Sequence, residues 1–168
     1  MKTVALGLLA LVVVAAASFG LADEKEKSGT STVAVLEDTI LDPAALVWGD
    51  PPPRLPRGCK ATVLFGDPTK KGWFTVRLHA PAGYKIPPHT HPTAEHVTVI
   101  SGSVHLGHGE KVAESTGRLV KTGGYAVLAA ESVHSAWFTE DSIIQIQSEG
   151  PFEMTYVDPA DDPRNPRK

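Results

Sequence analysis

The chain has 168 residues, room for one domain, 42% of them hydrophobic, and a formal net charge of −3. Interspersed acidic and basic residues leave no basic face for nucleic acid. The single cysteine, Cys59, excludes an internal disulfide and a thiolate-rich zinc site, and is expected to be buried.

Residues 1–22 read as a secretory signal peptide: Lys2, an apolar run over 4–17, then the small residues Gly20 and Ala22 flanking Leu21. A retained membrane anchor is the alternative, because a span needs about 20 apolar residues. Ser18 and Gly20 interrupt the apolar end and favour cleavage after Ala22. The expected product is periplasmic or secreted and keeps no stable membrane anchor.

Residues 23–57 form a leader and arm. Residues 33–48 carry a modest apolar pattern, a short strand or part of the arm. The stretch 50–56 holds four prolines and cannot be helix interior, since proline lacks the N–H and clashes with the preceding turn. From 58 to 157 the pattern is all-β. Strands are predicted over 61–65, 73–79, 97–100, 104–106, 118–121, 125–129, 134–138, 143–147 and 152–157, with turns at Gly66-Asp67-Pro68, Ser101-Gly102-Ser103, Leu106-Gly107 and Gly123-Gly124. Short strands at this spacing predict a β-sandwich or barrel. Residues 158–168 are expected to be irregular.

All seven histidines fall between His79 and His134. His89 and His91 are two apart on a stretch that Pro87 and Pro88 hold extended, so both project to one face. Glu95 follows a turn at Pro92-Thr93 and heads a strand with Val97 and Val99 on its face and His96 on the other. Imidazole and carboxylate together read as metal ligands. Phe74, Val76 and Leu78 are expected to face the core, leaving Arg77 and His79 outside. His96 is expected at the surface or an interface, and His105 and His108 are expected to be exposed.

The run from Gly83 to Gly102 resembles the first motif of the cupin superfamily, with Gly83, His89, His91, Glu95 and Gly102 at its fixed positions. Gly123 to His134 resembles a degenerate second motif: Gly123 and His134 are kept, while Gly124, Ala129 and Glu131 stand where Asp, Pro and Gly are usual. The two cover residues 83–138. The resemblance implies a cupin jelly-roll β-barrel or sandwich, here with a proline-rich N-terminal arm. It also implies one divalent metal ion (Fe, Mn, Zn, Ni or Cu) held by His89, His91, Glu95 and His134. Ala136, Phe138, Val97 and Val99 would be pocket walls by strand parity. Tyr84 and Tyr125 are polar candidates, and Glu95 and Tyr125 the candidates for a catalytic base.

What the resemblance implies for function divides in two. One expectation is a metal-dependent enzyme of dioxygenase, decarboxylase or isomerase type acting on a small organic molecule. The other is a non-enzymatic sensor or binding module for a metal or small ligand. Residues 74–109 and 149–163 are similar to the cupin domain of zinc-binding anti-sigma factors and to exported bacterial relatives. Arm exchange between two copies, as in many cupins, implies a homodimer.

Overall fold

The computed structural model describes residues 38–111 and 117–165. The expected signal peptide, most of the leader and the last three residues lie outside them. The described chain is nearly all β, as two antiparallel five-stranded sheets. The strands are β1 (Lys60–Phe65), β2 (Gly72–Ala80), β3 (Lys85–Thr90), β4 (Glu95–Ser101), β5 (Ser103–His108), β6 (Arg118–Lys121), β7 (Tyr125–Leu128), β8 (His134–Trp137), β9 (Ser142–Gly150) and β10 (Thr155–Tyr156). One sheet runs β1-β2-β9-β4-β7 and the other β10-β3-β8-β5-β6. They form a sandwich, and among the described strands no pairing joins the two sheets into a closed barrel.

Alternation explains the core. Phe74 and Leu78 on β2, Val97 and Val99 on β4, and Ile144 and Ile146 on β9 are buried, and face Ile86, Val104 and Leu106 of the other sheet. Each such side chain contributes about 1.5–3 kcal/mol by leaving water. On the outer face the β2–β9 register sets Arg77 opposite Gln145, whose Oε1 accepts from the Arg77 Nε at 3.0 Å. The β4–β5 turn requires Gly102. Its φ is +70°, and a Cβ there would stand 2.6 Å from the Asp141 carbonyl oxygen.

Three expectations change. Leu106 and Gly107 are not a turn, because β5 runs on to His108. Gly107 lets the Trp137 ring approach: a Cβ there would lie 3.1 Å from it. His105 stacks on that ring at 5.2 Å and is half-buried, not exposed, whereas His108 is exposed. The expected strand 152–157 shrinks to Thr155–Tyr156, because the carbonyls of 152–154 accept from side chains: Phe152 from Arg54, Glu153 from His91 and Met154 from Arg164. Among its described residues the tail contains one 3-10 turn, Pro159–Asp161, which Asp158 caps by accepting from the Ala160 N–H at 2.8 Å.

The proline-rich segment lies on its own domain. Gly49 bridges to Ala61 on β1, Leu55 is buried, and the Arg54 carbonyl accepts from the Tyr156 hydroxyl at 2.7 Å. It therefore spans from the free edge of one sheet to the free edge of the other. Cys59 is buried and donates to the Tyr84 hydroxyl at 3.2 Å, and burial pushes its thiol pKa up.

Candidate metal centre

A cavity of about 490 Å³ lies between the sheets. Its walls are mostly apolar and include Val76, Val97, Leu106, Ile144 and Ile146. His89, His91, Glu95 and His134 line it together, all buried.

Each arrives by a local device. Pro87 and Pro88 supply no N–H to the β3–β8 ladder, and the register slips between Ile86 and His89. Ile86 and His89 would face opposite ways on a regular strand, yet both line the cavity. The slip also puts His89 directly across from His134, with ring centroids 4.3 Å apart. Thr93 anchors the turn before Glu95 by donating to the Glu149 carbonyl at 2.8 Å. Glu131, where the resemblance expected glycine, adopts the left-handed φ of +58° itself, and its N–H donates to the His91 carbonyl at 2.8 Å. The degenerate second motif thus still makes the turn that delivers His134.

The three imidazoles share one arrangement. The Nδ1–H of His89 donates to the Pro87 carbonyl at 2.7 Å, that of His134 to the Ser132 carbonyl at 2.8 Å, and that of His91 to the Glu153 carbonyl at 2.6 Å. A carbonyl only accepts, so each Nδ1 carries a proton, and in the neutral ring each Nε2 keeps a bare lone pair. Candidate ligand nitrogens of the three rings lie within 4.8 Å of one another. The Glu95 Oε2 stands 3.3 Å from the His134 Nε2 and 3.7 Å from the His91 Nε2. The His134 Nε2 is buried with no hydrogen-bond partner.

Electrostatics point the same way. Burial, then the neighbouring His134 and His91, hold the His89 pKa down to about 3, and burial lowers that of His91. Both rings are therefore neutral near pH 7. Burial works to raise the Glu95 pKa, and only a positive charge beside the carboxyl, on a protonated imidazole or on a bound cation in its place, holds it below its usual value. Lone pairs and a carboxylate oxygen crowd one buried point, and a cation resolves that arrangement. The donor set fits a borderline divalent ion.

Other expectations divide. Ala136 and Val97 line the cavity, whereas Phe138 is buried against Tyr84 and Val99 lies in the core. Tyr84 donates to the Pro56 carbonyl at 2.7 Å and holds the arm. Tyr125 is a correction. Glu95 pairs with Leu128, and Tyr125 lies three positions away on the opposite face. It is 58% exposed and hydrogen-bonds His96 on the outer surface, so it cannot serve as a base in the cavity. The reading from sequence missed Phe152, which stacks on His91 at 4.0 Å and 18°, and the Glu153 carbonyl. A backbone acceptor leaves no mark in the sequence, and Phe152 read as one more strand residue.

The family model for the ChrR cupin-like domain matches residues 36–153. A search of curated proteins finds no match. Among solved structures, the polyketide cyclase RemF of Streptomyces resistomycificus superposes with a TM-score of 0.62 at 14% identity, covering 76% of this chain and 90% of its own. A protein of Methylibium petroleiphilum PM1, provisionally named an acetylacetone dioxygenase, gives 0.61 at 20% identity over 79% and 89%. The acetylacetone dioxygenase of Acinetobacter johnsonii gives 0.58 at 17% identity over 76% and 82%. At these identities the likeness is one of fold. The match to the family model spans most of the chain, and the chain belongs to the ChrR cupin-like domain family.

Proposed function

We propose that this chain is a metal-dependent cupin enzyme that acts on a small, largely apolar organic molecule. One divalent ion (Fe, Mn, Zn, Ni or Cu) is held by His89, His91 and His134, with Glu95 as fourth ligand or as base. The observation that carries the reading is the set of three buried imidazoles with every Nδ1–H tied to a carbonyl, their Nε2 atoms left bare beside Glu95. A bound divalent ion supplies Lewis-acid polarisation, and a redox-active one supplies electron transfer as well. The chain supplies the rest. Val76, Val97, Ile144 and Ile146 exclude water and take the apolar body of the substrate, leaving its polar group to face the histidines. Glu95, when not ligating, takes up a proton at Oε2. Dioxygenase chemistry is favoured over decarboxylation or isomerisation by the two fold neighbours named for acetylacetone.

Family membership favours a second reading, a non-enzymatic metal- or ligand-binding module. One experiment separates the two. Protein exported by its native host is analysed anaerobically for metal, beside a His89→Ala/His91→Ala variant, and oxygen uptake is followed on a panel of diketones, catechols and thiols. A redox metal with uptake supports the enzyme. Tight zinc without turnover leaves the binding module, and equal metal in wild type and variant sinks the site.

Export and dimerisation complete the proposal. Residues 1–22 carry the export pattern, and the arm exposes Ile40 and Val47. An intact N-terminus on the mature protein would remove the first, and a monomeric mass by light scattering the second.

A further inference from the structure

We infer that Arg54 is a positioning residue for the metal centre, acting on His91 through residues 152 and 153. The inference rests on the metal site proposed above and extends it to the arm.

Two contacts orient His91, and both come from adjacent residues. The Phe152 ring lies on the imidazole at 4.0 Å, and the Glu153 carbonyl takes its Nδ1–H at 2.6 Å. Residues 152–154 belong to no strand, so no ladder holds their peptide groups in place. Arg54 does part of that work. Its Nη1 donates to the Phe152 carbonyl at 2.6 Å and to the Glu153 Oε2 at 2.8 Å. The Phe152 N–H donates to the Pro68 carbonyl at 2.8 Å. The stretch is thus pinned by a loop carbonyl at Phe152, by the Arg54 guanidinium at residues 152 and 153, and by Arg164 at the Met154 carbonyl, so that Arg54 alone among these side chains holds the two residues that touch His91.

Arg54 is itself fixed. Its carbonyl accepts from the Tyr156 hydroxyl, and its neighbours are held through buried Leu55 and the Tyr84–Pro56 hydrogen bond. Tyr156 in turn pairs with His89 across β3 and β10, with ring centroids 5.9 Å apart. The arm therefore reaches both histidines of the first motif without touching a ligand nitrogen.

His89 and His134 take their carbonyls from two residues earlier on the chain and need no such support. His91 depends on a carbonyl 62 residues away. An outer partner of this kind tunes metal affinity by about 10–100-fold. The same arm carries an ion pair that serves as a control: the Lys60 Nζ meets the Asp50 Oδ1 at 2.6 Å on the exposed surface, and neither residue touches the histidines.

The test uses the full exported chain, Zn(II) affinity by competition with a chromophoric chelator, and the Co(II) absorption spectrum. Arg54→Ala should bind Zn(II) about 10–100-fold more weakly with shifted Co(II) bands. Arg54→Lys should fall between, because an ammonium keeps the charge but loses the planar donor array. Lys60→Ala should match wild type in both readouts. Wild-type affinity and spectrum in both Arg54 variants would overturn the inference, as would an equal loss in Lys60→Ala. Should Arg54→Ala not fold by circular dichroism, Arg54→Lys decides by the same criteria. A wild-type chain that binds neither ion overturns the metal site and the inference together; failure of the Arg54 arm alone leaves the site standing.

Discussion

The histidines inside the sandwich and those on its outer faces differ in what their rings meet. Inside, His89, His91 and His134 each give an Nδ1–H to a backbone carbonyl and turn a bare nitrogen toward the cavity. Outside, His79 meets the edge of Trp48, His96 lies between Tyr125 and Trp73, and His105 stacks on Trp137. The outer rings pack on aromatics instead. Residue type and strand parity therefore do not make a ligand. What sets the inner three apart is a carbonyl that fixes which nitrogen carries the proton.

The largest expected effect tests that contrast directly. His89→Ala/His91→Ala should lose the metal, while His79→Ala/His96→Ala should keep the full wild-type content by elemental analysis. Retained metal in the first variant, or loss in the second, would erase the distinction. Next is the ring that backs His91. Phe152→Ala should cost about 3 kcal/mol in denaturant unfolding and weaken metal binding, since the stacked face goes with it. His105→Ala should cost about 1 kcal/mol through lost ring contact, with metal affinity unchanged. The smallest effect runs the other way. Glu131 holds a left-handed backbone that disfavours side chains, so Glu131→Gly should stabilise the metal-free chain by up to about 1 kcal/mol in thermal unfolding.

Much of the centre was legible because the first motif encodes geometry in residue type. Two prolines announce an extended stretch, though not the register slip that the structure adds, and the spacing from His91 to Glu95 leaves room for one turn. The inward faces of β2 and β4 followed from alternation alone. Tyr125 was misplaced because its face depends on a register, Glu95 opposite Leu128, that only the paired sheet defines. The burial of His105 depends on Trp137, 32 residues later, approaching over Gly107. Arg54 was hidden in a segment that reads only as irregular, and its target is a carbonyl nearly a hundred residues away.

The locked Nδ1–H bonds have a consequence for how the centre would acquire its ion. Every ring is already turned and every inward nitrogen already bare, so an arriving cation would find no side chain that must first rotate or change tautomer. Imidazole and carboxylate donors accept several divalent ions, and copper and zinc outcompete iron and manganese at such donors. Which metal the protein carries would then be decided by which ions surround it when it folds, and its location in the cell becomes part of its chemistry.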